Sequence, residues 1–296
     1  MKIALALIKR NIKLFFKDKG MFFVSLITPG ILLVLYATFL KNVYRDSFMA
    51  GIPPMFTISE GLIDGLVGAQ LISSILAVSC VTVAFCSNFL MVQDRATGAS
   101  RDLLITPVSS STLSFSYYLS AFISTLTICY VATVICLVYI AVIGWYFSFV
   151  DVLLIFADVF ILVLFGTAIS SVVNFFLSTQ GQISAVGTII SSGYGFISGA
   201  YMPISSFGEG LRKAIMFLPG TYGTSLLRNH STIGVFEEMR AQGLPEQIIN
   251  ELGNAIDSNL YFFDSRVSIT AMYLVLGISI AILIFAYVLM NRLKRK

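Results

Sequence analysis

Residues 153–176 read LLIFADVFILVLFGTAISSVVNFF, an apolar stretch in which Asp158 is the single charged side chain. A helix rising about 1.5 Å per residue crosses a hydrocarbon layer of roughly 30 Å with a stretch of this length. A lipid-exposed backbone must satisfy its own hydrogen bonds, which favours helices. We therefore predict an all-α integral membrane protein with six transmembrane helices, formed by Met21–Leu40, Leu66–Val92, Ser116–Ile143, Leu153–Phe176, Ala185–Ala200 and Ile269–Leu289.

Composition and charge agree with this class and predict an orientation. The chain is 57% hydrophobic and 11% charged. Lysine and arginine concentrate before the first stretch and after the last, and Arg95 and Arg101 lie between the second and third. By the positive-inside rule these regions are cytoplasmic, whereas the acidic segment after the fifth stretch is external. We predict a multi-pass protein of the cell membrane with both termini cytoplasmic, so its net charge of +4 does not indicate nucleic-acid binding.

Catalytic, metal and nucleotide chemistry have little support in the sequence. The only histidine, His230, is placed in an external loop, and no partner motif accompanies it. All four cysteines fall inside predicted spans and are interpreted as buried thiols, without metal-site spacing: Cys80, Cys86, Cys129 and Cys136. The chain lacks the Gly-Lys pair of a phosphate-binding loop. We predict a non-catalytic chain without a cofactor or metal of its own, so any ATP that drives it must be bound by another polypeptide.

The segment before the first stretch has the pattern of an interfacial helix. Over residues 2–17 the basic side chains fall in an arc about 100° wide, and apolar side chains cover the rest. We predict an amphipathic helix at 2–19 that contacts membrane lipids, with its basic face formed by Lys9, Arg10, Lys13 and Lys17. The alternative is that these charges only determine topology.

The loop at 93–115 is the most substantial cytoplasmic loop between predicted spans. A short helix over Ser100–Ile105 is expected, with Ser100 as its N-cap and Pro107 as its stop. Leu103, Leu104 and Ile105 are apolar and adjacent to water, which is typical of a partner surface. The alternative is an ordinary loop that rests on the bilayer.

The last third of the chain combines a short span with an external segment. The fifth stretch is rich in glycine, which permits close helix packing, so we expect it to be central in the bundle. Residues 201–228 are apolar but contain helix breakers, and we interpret them as a re-entrant hairpin. Residues 233–258 read as a small external helical insert, in which Pro245 begins a helix. Residues 1–296 thus form one transmembrane domain, with 201–268 as its external region.

Three polar side chains lie inside predicted spans. Asp158 is either a substrate or proton site, or a carboxylate that snorkels or is neutralised near the outer end of its span. Asn88 and Asn174 lie near the cytoplasmic ends of their spans, where interhelical hydrogen bonds are favoured over ligand contacts.

Three motifs, in order and spacing, resemble the permease subunits of type-2 ABC exporters. They are the basic helix before the first span, RDLLITPVS at 101–109, and SGAYMP at 198–203 followed by LPGTY at 218–222 and Leu227-Arg228. One departure is the order Thr97-Gly98 ahead of the leucines, where the family usually has an acidic residue with a glycine-threonine pair.

The resemblance implies a mechanism and a set of functional residues. Two permeases, identical or paralogous, would pair and dock separate ATP-binding subunits, which bind ATP and Mg. Coupling to the ATPase would involve Arg101, Asp102, Leu103, Leu104 and Pro107. The external gate would involve Gly199, Pro203, Pro219 and Tyr222. An amphipathic drug, toxin, polyketide, lipid or glycolipid would move outward between spans one, two and five.

Two other classes of protein fit the topology. A self-protection or sensor protein that only binds a toxin would not need the apolar loop at 103–105. A proton-driven carrier would depend on Asp158, and such carriers usually have more spans or repeated halves.

Overall fold

A computed structural model describes residues 2–53, 56, 58–106, 108–263 and 265–293. The described chain is nearly all helical, with one two-stranded hairpin in which β1 (Tyr261–Phe262) pairs antiparallel with β2 (Ser265–Arg266). The helices are α1 (Lys2–Lys17), α2 (Lys19–Leu35), α3 (Lys41–Ala50), α4 (Glu60–Ala96), α5 (Ala99–Ile105), α6 (Ser110–Ile143), α7 (Phe149–Phe175), α8 (Gln180–Ile197), α9 (Glu209–Ile215), α10 (Pro219–Ala241), α11 (Glu246–Ala255) and α12 (Ile269–Leu293).

Side-chain caps explain where several helices begin. Ser148 and Asp151 form a reciprocal capping box at the start of α7, and Thr179 and Gln182 do the same for α8. Ser109 accepts a hydrogen bond from the backbone N–H of Thr112 at the start of α6. Each cap satisfies amide groups that the first turn of a helix leaves unpaired.

Within the described residues, five helices are long and apolar enough to cross a membrane. They are Lys19–Ala50, Glu60–Ala96, Ser110–Ile143, Phe149–Phe175 and Ile269–Leu293. These correspond to predicted stretches one, two, three, four and six, although several are longer than predicted. The first helix exceeds its predicted length by the largest margin. Helix α2 continues through a π-helical turn at Tyr36–Leu40 into α3, so residues that were predicted to form an external gap are helical.

The fifth predicted stretch corresponds to α8, which is not among those five helices. The prediction that it is central was wrong for the single chain. Only Ile183, Tyr194 and Gly195 of α8 are buried, and its packing is mainly against α4. The central helix is α4, which packs against α2, α6, α7, α8 and α10. The apolar part of α4 that is long enough to cross a membrane is wholly buried, because other helices surround α4.

The helix directions define two ends of the bundle. The α5 end holds α1, α5 and the start of α6. The α11 end holds α11, the hairpin and the start of α7, with Gly144 and Tyr146 beside Gly61. Helix α1 packs along α6 through Leu7, Ile8, Asn11 and Phe15, while Ile3 and Leu5 stay exposed.

The segment after α8 also differs from its prediction. Helix α10 is uninterrupted from Pro219 to Ala241, so the predicted boundary between a hairpin ending at 228 and an insert starting at 233 was wrong. Its inward face is buried against α4, α7 and α12. Helix α11 follows Pro245, and Ile248, Leu252 and Ile256 are buried at the four-residue spacing read from the sequence.

Candidate functional site

At the α5 end, Asp94 joins three helices. Arg10 of α1 donates to both of its carboxylate oxygens, with Nη1–Oδ2 at 2.8 Å and Nη2–Oδ1 at 3.2 Å. The Tyr117 hydroxyl of α6 donates to Oδ2 at 2.5 Å. The hydrogen bond to Asp94 raises the pKa of the Arg10 guanidinium. A bidentate, charge-assisted contact of this kind fixes the orientation of α1 on α4 and α6.

The next residue, Arg95, joins α4 to a fourth helix. Its Nη1 donates to the backbone carbonyls of Asn174, Phe175 and Leu177, at 2.9 to 3.2 Å. Its guanidinium also lies 5.6 Å from the centre of the Phe175 ring. The last carbonyls of a helix lack intrahelical partners, and a cation is favoured there by the helix dipole. The end of α4 is therefore attached to α1 and α6 by one residue and to α7 by its neighbour.

Helix α5 follows directly, and its start differs from the prediction. Its N-cap is Gly98, with φ of 85°, rather than Ser100. A left-handed φ suits glycine because it has no Cβ. Arg101 and Asp102 are exposed and Ile105 is 85% exposed, whereas Leu103 packs on Leu7, Met91, Leu113 and Tyr117. Leu104 lies within α5, and Pro107 falls outside the described residues.

The predicted basic face of α1 divides into two roles. Lys9, Lys13 and Lys17 are exposed, as residues that meet lipid headgroups or solvent must be. Arg10 instead turns toward Asp94. The sequence pattern placed Arg10 with the lysines and carried no signal for its partner, which lies 84 residues away.

Between α2 and α8 lies an open apolar cavity of about 500 Å³. Its α2 wall is formed by Ile27, Thr28, Ile31, Leu32 and Leu35, and its remaining lining is Leu40, Ser191, Ser192, Phe196 and Tyr201. Most side chains of α2 and α8 that flank it are exposed in the single chain. The cavity could hold an apolar or amphipathic molecule, because only hydroxyl groups interrupt its apolar wall.

The four residues predicted for the gate lie toward the α11 end: Gly199, Pro203 and Pro219 at breaks or starts of helices, and Tyr222 near the start of α10. Gly199 has φ of 74°, and a Cβ there would come within 2.7 Å of Ile204. Pro203 precedes a 3-10 turn at Ile204–Ser206, and Pro219 occupies the first turn of α10. The Tyr222 hydroxyl donates to the Met216 carbonyl at 2.7 Å. Residues 199–222 therefore fold into a 3-10 turn, the short helix α9 and the start of α10, and we call this segment the cover.

Arg228 fastens this cover to the bundle. It is 1% exposed, and it donates to the Gly199 carbonyl at 2.6 Å, to Asp257 Oδ2 at 3.3 Å and to the Ser74 hydroxyl at 3.3 Å. Asp257 also accepts from the Ile204 amide at 2.6 Å. Burial raises the pKa of Asp257, and the Arg228 charge opposes that rise. Sequence reasoning singled out Arg228 but counted Asp257 only among external acids.

Asp158 and His230 form a second buried contact, which sequence reasoning missed. His230 Nδ1 lies 2.6 Å from Asp158 Oδ2, and the Tyr273 hydroxyl donates to Asp158 Oδ1 at 2.5 Å. His230 is therefore a buried residue of α10 and not a loop residue. Asp158 is 1% exposed, so it does not snorkel. The sequence offered one signal for this contact: Asp158 lies in an apolar stretch, and a buried carboxylate requires a polar partner.

The two asparagines have different environments. Asn88 of α4 donates to the hydroxyls of Ser170 at 3.1 Å and Ser171 at 2.7 Å, both on α7. The side-chain amide of Asn174 is buried without a hydrogen-bond partner among the described residues, while its backbone carbonyl accepts from Arg95.

Long apolar helices packed around a buried central one define a multi-pass integral membrane protein. The family model described as ABC-2 type transporter matches residues 4–230, so the chain belongs to that family. The family supplies the membrane component of ABC transporters, which is typically non-catalytic and works with an ATP-binding subunit. No curated protein matches the chain.

Proposed function

We propose that this chain is the permease subunit of an ATP-driven exporter. It moves an amphipathic substrate (a drug, toxin, polyketide, lipid or glycolipid) outward by alternating access. Separate ATP-binding subunits bind ATP and Mg and supply the energy. The energy enters because nucleotide binds the two conformations of the complex with different affinities.

The observation that carries this proposal is the attachment of α4 at its α5 end. Arg10 and Tyr117 hold Asp94, and Arg95 holds the last carbonyls of α7. Helix α5 begins only four residues after Arg95. A partner that moves α5 therefore moves α1, α4, α6 and α7 together. Arg101, Asp102, Leu103, Leu104 and Pro107 form the proposed docking segment, in which Ile105 adds an exposed apolar side chain.

The cavity between α2 and α8 is the proposed substrate route. Its wall is apolar and the cavity is open to its surroundings. Ile31 and Ile189 on its two flanks are 56% and 67% exposed. We propose that a second permease copy, or a paralogue, covers this face and closes the route. The segment from Gly199 to Tyr222 forms the gate, partly re-entrant, above it.

The proposed orientation places the α5 end in the cytoplasm and the α11 end outside. Both termini are then cytoplasmic and the protein resides in the cell membrane. The exposed Lys9, Lys13 and Lys17 of α1 meet anionic headgroups on the cytoplasmic side. Helix α8 serves as the sixth crossing in this arrangement, with its glycine-rich surface toward the second copy.

Purification from native membranes tests the proposal. We expect a separate ATPase to co-purify, with vanadate-sensitive activity that is lost when Leu103 and Leu104 are both changed to Asp. Tyr261→Asp in β1, where the native side chain is 40% exposed at the α11 end and outside the gate segment, is the control and should retain the ATPase. A chain that purifies alone, without ATPase activity, would contradict the exporter and support a membrane protein that only binds its ligand.

A further inference from the structure

The contact between Asp158 and His230 has a feature that a purely structural contact does not need. His230 lines a cavity of about 200 Å³ at the α11 end, together with Asn229, Thr232, Phe236, Ile249 and other residues of α10, α11 and the hairpin. The imidazole thus lies between this cavity and the buried carboxylate of α7. His230 is thus the residue that connects this cavity to Asp158.

The charged and titratable groups around the pair have known positions. Tyr273 of α12 contacts the carboxylate, and Cys80 of α4 lies beside it, with its thiol 3.8 Å from the Val159 carbonyl. On the cavity side, Glu237 and Arg240 belong to α10 and Arg266 to β2. Arg240 is already paired with Glu246, and Arg266 donates to Asn259. Arg228, two residues before His230, is paired with Asp257.

The charge on the pair changes with one proton. With a neutral imidazole and an ionised carboxylate, the pair carries one negative charge and Nδ1 donates to Asp158. One proton taken from water converts the imidazole to imidazolium and leaves the pair neutral. A buried net charge is costly, and the added proton removes that charge from the interior of the bundle. Histidine is the side chain that exchanges such a proton near neutral pH.

We propose that Asp158, His230 and Tyr273 form a proton-binding site that is filled from the α11 end, and that its occupancy holds α10 against α7 and α12. The same helix carries Arg228, which binds the Gly199 carbonyl in the gate segment. Loss of the proton leaves a buried negative charge and weakens the packing of α10. Proton binding is thereby linked to the position of the gate.

Because the sequence contains one histidine, ¹⁵N-histidine labelling of this chain gives the signals of a single imidazole. The protein carries a histidine-free affinity tag and is reconstituted in vesicles with the pH set separately on each side. We expect the imidazole signals to change in one step that follows the pH at the α11 end and not the pH at the α5 end. In Asp158→Asn the step should require at least about a tenfold higher proton concentration, because the opposing charge is lost.

Two further variants make the result decisive. Tyr273→Phe removes the hydrogen bond that stabilises the ionised Asp158 carboxylate, so the step should move to a lower proton concentration. This variant keeps both members of the pair and covers the case in which Asp158→Asn does not fold. Asp151→Asn alters the other aspartate of α7, in the capping box, and should leave the step unchanged. Imidazole signals that do not respond to the pH at the α11 end, or that follow the pH at the α5 end, would overturn the proposal.

The link to α10 is measured separately. Spin labels at Ala241 of α10 and Ile278 of α12 report the distance between these helices, and the native cysteines do not compete because all four are buried. We expect the distance distribution to broaden when the pH at the α11 end rises through the titration step. A distribution that stays constant through the step would refute the control of α10 by the proton. None of these readouts requires an ATPase, so they are independent of the exporter proposal.

Discussion

Asp94 and Arg95 are neighbours on α4, yet they attach it to different helices. The Asp94 side chain is 9% exposed and the Arg10 side chain 31%, so their contact is partly shielded from water. Removing one member of a shielded charge pair leaves the other without compensation. The strength of the attachment can therefore be tested from the Arg10 side.

Arg10→Met retains a long apolar side chain and removes the charge. We expect it to lower the free energy of unfolding by about 2 kcal/mol, because Asp94 loses a bidentate partner. We also expect reduced ATPase activity in the complex. Denaturant unfolding in detergent and vanadate-sensitive ATPase assays measure the two effects. Lys9→Met, at an exposed neighbouring position, should change neither one.

Asp102→Lys tests the docking segment. The exposed carboxylate lies in the first turn of α5, where the helix dipole favours an anion. Charge reversal is expected to abolish ATPase co-purification with little effect on the thermal stability of the permease. Glu251→Lys, an exposed reversal on α11, provides the comparison. If the ATPase co-purified fully with the Asp102→Lys chain, Asp102 would not belong to the docking surface.

At single residues, the sequence predicted the need for a partner but did not identify the partner. The cost of burying Asp158 marked it as a residue that needs a partner. His230 was misplaced because it stands in the polar run Asn229-His230-Ser231-Thr232, which reads as a loop. In the fold, two of those polar side chains have partners on distant elements: Asn229 donates to the Ser258 carbonyl, and His230 contacts Asp158. Such partners cannot be read from local sequence.

At the scale of elements, some glycines lie where two helices pack closely, and others lie on open surface. A Cβ on Gly166 of α7 would lie 2.5 Å from the Cys80 carbonyl and 3.1 Å from Val81 Cα, both on α4. The sequence predicted close packing in the glycine-rich fifth stretch. A close backbone approach of α7 to α4 instead uses a single glycine in the fourth stretch, Gly166.

Gly166→Ala should therefore force α7 away from α4. We expect a loss of about 2 kcal/mol in the free energy of unfolding, as is typical when a packed core receives an extra methyl group. Gly277→Ala on α12 is the matched control, because no atom lies within 4 Å of its added Cβ. That control should stay within about 1 kcal/mol of the native protein. Equal effects of the two substitutions would contradict the packing of α7 on α4.

At the scale of the whole molecule, the order of the apolar helices was predictable from hydropathy. The arrangement around α4 was not, because every stretch is apolar on most of its surface and shows no preferred inner face. The apolar surface left on α2 and α8 has the same ambiguity, since lipid or a second copy can cover it. A cross-link distinguishes the two.

Ile189→Cys places a thiol on the same face of α8 as Ser192 and Phe196, beside the cavity. If two permeases pair through this face, oxidation of the reconstituted protein should give a disulfide-linked dimer. Val142→Cys, on the 83% exposed end of α6, should remain monomeric. If Val142→Cys formed the dimer on a denaturing gel and Ile189→Cys stayed monomeric, the pairing surface would be on α6.

Helix α10 has one more consequence, which follows from its length without interruption. Its Pro219 end belongs to the gate and its Ala241 end is tied to α11 through the pair of Arg240 with Glu246. A rigid helix cannot move at one end alone. A nanobody that immobilises α11 would therefore immobilise the gate as well, and an inhibitor of this protein would not need to enter the membrane.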